Sequence, residues 1–186
     1  MDIRRVVVGP IRDNCYILSL PDRTDCVLID PGANPERIRP AMDGRHPAAI
    51  LLTHGHFDHI GAVKELAERD TEIVIHRLDA PMLGDMELNA CWMARLDVTA
   101  PPATRLVEEG DTLEYAGLRF TVLHTPGHTA GSVCYDTGDT LFTGDTVMAQ
   151  GVGRTDLPTG SDEDMEASLR RLMPLLRQRH VCGGHG

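Results

Sequence analysis

The first fifty residues alternate short apolar runs with turn formers. "RRVVVG", "NCYILSL", "DCVLID" and "AAILLTH" each read as a strand, with Pro21, Asp22 and "PGANP" as punctuation between them. The period then changes. In "HIGAVKELAERD", residues Ile60, Val63, Leu66 and Ala67 share one helical face with the charges opposite. "TEIVIHR" returns to strand. Asp79 to Leu96 reads as a helix with Met82, Leu83, Met86, Leu88 and Met93 as its apolar content. The second half follows the same plan. "DTLEYAG", "LRFTVLHT", "SVCYDT" and "DTLFTGD" are strands, and "SDEDMEASLRRLMPLLRQRH" is a helix. Ser161 can cap that helix, Asp162, Glu163 and Asp164 suit its dipole, and Pro174 predicts a kink. "VCGG" closes the chain as a short strand. This order suits an α/β protein in which two mixed sheets pack face to face with helices outside.

Length and composition narrow the class. The 186 residues suit one domain, 1–186, around a single core. Aromatic residues are only 4% of the chain, so Val, Leu, Ile, Ala and Met must build that core. A formal charge of −10 argues against a nucleic-acid or anionic-membrane partner, because no basic stripe offsets phosphate repulsion. Five cysteines, an odd number without a C-x-x-C pair, suit reduced thiols in a cytoplasmic protein. Cys134 and Cys182 read as small core residues. The N-terminal Val run is too short for a signal segment, and no stretch approaches the roughly 18 apolar residues of a membrane span.

Candidate chemistry gathers in four segments: "THGHFDH" (53–59), "HTPGHTAGS" (124–132), "LFTGDT" (141–146) and "VCGGHG" (181–186). Each follows an aliphatic strand, so each is expected at one edge of a sheet, where ligand sites collect. Imidazole and carboxylate together suit zinc, iron or manganese. His54 and His56, one residue apart, can reach one ion, while Asp58 and His59 point toward a second. With His128, Asp145 and His185 the donors are too many for one tetrahedral ion. Two metals with a carboxylate bridge fit the count, and Asp145 is the candidate bridge. His46, His76 and His180 read as surface or local structural residues. The Met-rich stretch from Met82 to Met93, with Trp92, reads as core or as the wall of an apolar cleft.

The order and spacing of these segments resemble the metallo-β-lactamase superfamily, over essentially the whole chain. That resemblance implies a four-layer αββα sandwich with its metal site at one edge. It also implies that His54, His56 and His128 hold one ion, that Asp58, His59 and His185 hold another, and that Asp145 is shared. Asp30, in "LIDPG", then supports the metal loop from behind. His124 is either a second such support or a strand-end histidine with no metal role. Within the superfamily, "GDTVMAQGVGRTDLPTGS" resembles the short bacterial relatives of glyoxalase II, the hydroxyacylglutathione hydrolases. There is no room for the C-terminal helical substrate domain of the larger enzymes. The chain also stops one residue after His185, and Gly183 stands where relatives carry proline.

The activity so implied is hydrolysis of a small-molecule thioester such as S-lactoylglutathione, by a hydroxide bridging two divalent ions, zinc foremost and iron or manganese as alternatives. Asp58 and Asp145 are the catalytic candidates. Arg154 either attracts a substrate carboxylate or pairs with Asp156 to brace its loop. Alternatives are a lactone or ester hydrolase on the same centre and an iron-dependent persulfide dioxygenase, which the superfamily also contains. β-Lactam hydrolysis is disfavoured because those zinc enzymes do not usually keep a bridging aspartate. An RNA-processing nuclease is disfavoured by the acidic charge.

Overall fold

A computed structural model describes residues 1–186. Its strands form two mixed sheets. The first runs in sequence order: β1 (Asp2–Val8), β2 (Asp13–Ser19), β3 (Asp25–Ile29), β4 (His46–Leu51), β5 (Glu72–His76) and β6 (Arg105–Val107). Pairing is antiparallel from β1 to β3 and parallel from β3 to β6. The second sheet runs β11 (His180–Gly183), β10 (Thr140–Gly144), β9 (Val133–Asp136), β8 (Leu118–His124), β7 (Thr112–Tyr115). It is antiparallel except where β10 meets β11.

Strand β2 shows how the layers arise. Alternate side chains of a strand point to opposite faces, so a strand covered on both sides is buried throughout. Tyr16 and Leu18 join Val27, Leu51, Phe120 and Phe142 in the cluster between the sheets. The Tyr16 and Phe142 rings meet edge-on at 5.3 Å. Cys15 and Ile17, on the other face, join Ile38, Ile60 and Leu66 in an outer cluster. Those three come from helices α1 (Pro35–Ala41), α2 (Phe57–Ile60) and α3 (Val63–Leu66). The long helix α4 (Asp162–Leu176) covers the second sheet through Leu172 against Cys134 and Leu141. The layers are therefore helix, sheet, sheet, helix.

Three segments refine the sequence reading. Ser161 caps α4, its hydroxyl accepting the Asp164 N–H at 3.2 Å, and the helix ends two residues past Pro174. The helix predicted after His59 is split into α2 and α3. Ala62 N–H leaves the helical ladder and donates to Pro31 O at 2.9 Å, and a side chain at Gly61 would meet Gly32 O at 2.3 Å.

The helix predicted over Asp79–Leu96 is absent. In its place stand two one-turn 3-10 segments, Ala80–Leu83 and Cys91–Ala94. Asp85 Oδ1 takes the N–H groups of Glu87 and Leu88, and Asn89 Oδ1 takes that of Cys91. Ala90 and Arg95 adopt left-handed φ values of 61° and 56°. Side-chain bonds to nearby backbone compete with a helix, and here they win. No helix is long and apolar enough to cross a membrane. All five cysteines are free and buried.

Candidate metal centre

Strands β3, β4, β8, β10 and β11 each run into a loop that carries predicted donors: Asp30, then His54 to His59, His128, Asp145 and His185. The fold brings these loops together. The donor atoms of His54, His56 and His128 lie within 4.8 Å of one another, as do those of Asp58, His59 and His185. A third trio at the same spacing, His54, His59 and Asp145, joins the two. The Asp145 oxygens stand 3.5 Å from His59 Nε2, from His128 Nε2 and from His185 Nε2. His56 Nδ1 and His128 Nε2 approach to 2.8 Å.

The donor set fits a cation. Buried polar atoms without partners are costly, and this site concentrates them: His54 Nε2, His56 Nε2, His59 Nε2 and Asp145 Oδ1 accept or donate no hydrogen bond within the protein. Behind them, the second ring nitrogen of His128, His185, His54 and His59 faces a protein oxygen. His128 Nδ1 donates to Arg154 O at 2.6 Å, which leaves Nε2 as a lone pair facing the cluster. His185 Nδ1 meets Ile11 O at 3.2 Å, and His54 Nδ1 meets Thr53 Oγ1 at 3.2 Å. His59 Nδ1 lies 3.0 Å from Asp30 Oδ2, an ion-pair distance without hydrogen-bond alignment. Asp30 also takes the Thr53 N–H at 2.8 Å and hydroxyl at 2.6 Å, so it supports the β4 loop from below.

Electrostatics divide the cluster. Burial, reinforced by the neighbouring imidazoles, drives His54 well below its usual range and His56 down to about 3, so both are neutral ligand-competent rings. Burial opposes charge on His59 as well, yet Asp58, Asp30 and Asp145 outweigh it and raise that ring to about 10. His185 is raised to about 11, where Asp145 and Asp58 overcome its burial. Burial also opposes the Asp58 and Asp145 carboxylates, but His59 and His185 beside them hold both low. The second half of the site thus strongly attracts positive charge.

Besides Asp30, two candidates stand outside the donor trios. His124 stacks on the buried His76 at 4.1 Å and 9°, and its Nε2 meets Ala130 O at 2.8 Å. Arg154 pairs with Asp156 through both arms of its fork, at 2.6 and 2.7 Å, and its carbonyl accepts from His128 Nδ1.

Sequence reasoning missed several supports. Asp79, fully buried after β5, accepts Gly55 N–H at 3.1 Å, Thr129 Oγ1 at 2.7 Å and Gly131 N–H at 2.7 Å. It thereby ties the His54–His56 loop to the His128 loop. The tail that carries His185 is held by Asn14, whose Nδ2 donates to Gly183 O at 3.0 Å, and by the Tyr16 hydroxyl on the same oxygen at 2.8 Å. The available signal was position alone: an acid just past an apolar strand, and polar residues inside one.

A cavity of about 540 Å³ opens onto the cluster. His56, Asp58, His128, Asp145 and His185 line it, together with Ile11, Met93, Met148 and Leu157. Layered sheets, donor-bearing strand ends and a cavity above them together make a candidate metal centre open to a small molecule. The family described as "Metallo-beta-lactamase superfamily" matches residues 8–185, and the chain belongs to that superfamily.

Its relatives sharpen the comparison. It is 39% identical over 193 residues to "Probable metallo-hydrolase YqgX" of Bacillus subtilis (strain 168), covering 100% of this chain and 90% of that protein. It is 39% identical over 189 residues to hydroxyacylglutathione hydrolase of Xylella fastidiosa (strain M12), covering 97% of this chain but 63% of that enzyme. Among solved structures, BLEG-1 B3 metallo-beta-lactamase superposes with a TM-score of 0.89 at 36% identity, covering 100% and 92% of the two chains. TTHA1623 in a di-iron-bound form gives 0.86 at 39%, covering 98% and 92%. ETHE1 from Myxococcus xanthus gives 0.78 at 29%, covering 100% and 76%.

Proposed function

We propose that this chain hydrolyses a thioester of the S-lactoylglutathione type at a binuclear metal centre. In this reading His54, His56 and His128 hold one divalent ion, Asp58, His59 and His185 hold the other, and Asp145 is shared. The observation that carries it is the Asp145 carboxylate, 3.5 Å from imidazoles of both trios. The choice of thioester is supported by 39% identity to a hydroxyacylglutathione hydrolase. Zinc is the proposed ion, with iron supported by a relative solved in a di-iron-bound form and manganese compatible with the donors. Five free, buried cysteines support a cytoplasmic setting.

When bound, two divalent cations make water nucleophilic near neutral pH and polarise a substrate carbonyl. The chain's own groups orient and protect that chemistry. Arg154 O, Ile11 O, Thr53 and Asp30 fix the imidazole orientations, which costs no rearrangement during the reaction. In this reading Asp58, which lines the cavity, also receives the proton of the attacking water. The departing thiol, with a reference pKa of about 8.5, leaves as thiolate and needs no dedicated acid. Ile11, Met93, Met148 and Leu157 keep the reacting carbonyl in an apolar setting.

The test is turnover of S-lactoylglutathione by the metal-loaded protein, with and without oxygen, beside a lactone, a β-lactam and glutathione persulfide. Oxygen-independent thiol release is expected. Oxygen consumption with the persulfide and no thioester cleavage would replace this reading with the iron oxygenase. Preferential opening of the lactone or β-lactam would keep the centre and change the substrate.

A further inference from the structure

The cavity over the metal centre carries two arginines, Arg12 and Arg154, and the side-chain carboxylates of Asp58 and Asp145. Arg154 is committed to Asp156 through both arms of its fork. Arg12 has no acceptor at all: it enters no salt bridge and donates no side-chain hydrogen bond, although acids outnumber bases 28 to 18 in this chain. Of the two arginines that line the cavity, Arg12 is the one whose guanidinium is uncommitted.

The backbone that carries it is held in place. Arg12 lies in the β1–β2 turn with a left-handed φ of 65°. The residue before it, Ile11, gives its carbonyl to His185 Nδ1, and the residue after it, Asp13, pairs by backbone with His185. The loop that presents Arg12 is therefore anchored to a donor of the metal cluster. Ile11 lines the same cavity and is 49% exposed, so cation and apolar surface sit side by side at the mouth.

We propose that Arg12 is the specificity-determining residue of this cavity, reading an anionic group, carboxylate or phosphate, on the thiol carrier of an amphipathic thioester. The apolar part of the substrate packs against Ile11 and Met93 while the guanidinium forks onto the anion. This deepens the thioester reading and rests on it for the reaction. The anion recognition itself is independent of turnover.

The experiment uses the metal-loaded protein and thioether probes that cannot be hydrolysed. Binding of S-hexylglutathione is measured by calorimetry against its diethyl ester, and S-hexyl-coenzyme A against uncharged S-hexylpantetheine. The first pair reports a carboxylate and the second a phosphate. The expected result is about tenfold tighter binding of the charged member of one pair, a gap that narrows as salt rises. In R12Q the gap closes, and in R12K part of it returns. In parallel, the ratio of kcat/KM for charged over uncharged thioester falls about tenfold in R12Q. A gap that persists in R12Q, or no gap in either pair, overturns the proposal. A gap without any thioester cleavage leaves Arg12 standing and removes the hydrolase reading. Cleavage without a gap does the reverse.

Discussion

Replacing Asp79 by asparagine cuts one strand of the knot that joins the two histidine loops. Oδ2 serves Gly55 N–H and Thr129 Oγ1, and Oδ1 serves Gly131 N–H at 2.7 Å. Asparagine keeps one acceptor oxygen. With that oxygen toward Thr129 and Gly55, its amide points N–H at the N–H of Gly131, and both donors stay buried. Loss of one hydrogen bond to a charged acceptor costs roughly 1.5–3 kcal/mol, and a stranded buried donor adds about 1–3. Part of this is recovered, because burial already raises the Asp79 carboxyl and asparagine removes a buried charge. The net expectation is about 2 kcal/mol, or roughly 4–8 °C in Tm for a chain of this size. The loops held by Asp79 also position donors, so metal affinity is expected to fall roughly 10–100-fold. Thermal unfolding with metal and with chelator, plus a competitive metal titration, reads both quantities. A D79N protein with native Tm and native metal affinity would show that Asp79 does not tie the loops together.

Further expectations follow from single contacts. A Cβ at Gly184 would lie 2.2 Å from Asp145 Oδ1 and 2.9 Å from His59 Cε1, so Gly184→Ala should lower metal content from two ions per chain to one in elemental analysis. Metal removal should lower Tm by an amount that grows with the free metal it is compared against, as linkage requires for a ligand of the folded state; a chelator-insensitive Tm would contradict the site. His76 is held down to about 4 by burial and by the adjacent His124, against Glu108 and Asp111, which act the other way. A histidine with a lowered folded pKa contributes stability that is complete above about 6.5 and is lost as pH falls through 6.5 toward 4. His76→Gln should therefore shrink the stability lost between pH 6.5 and 4 by about 2 kcal/mol, and equal losses in both proteins would exclude His76 as the cause.

Much of this was legible in the chain because the site uses strong signals. Aliphatic runs that end in histidine marked β4 and β8, and glycine beside Asp145 and His185 marked the turns after β10 and β11. Burial on both faces made β2 and β3 read as continuous apolar strands. The segment from Asp79 to Leu96 misled because its methionines and leucines fall at helical spacing while Asp85 and Asn89 spend their side chains on local backbone. Helix α1 begins at Pro35 and holds Pro40, and β6 has three residues, so neither shows a period long enough to detect. Asp79, Asn14 and Tyr16 are invisible to motif reasoning because each works through a single side chain whose partners lie far away in sequence.

Whether two cations, held by one histidine and aspartate cluster, are required for thioester cleavage can be read from a single titration. Zinc is added stepwise to metal-stripped protein while thiol release from S-lactoylglutathione is followed. No turnover is expected without metal, then a rise that levels off at two equivalents per chain. Full turnover by the stripped protein, or a plateau at one equivalent, would rule out the binuclear centre as the source of activity.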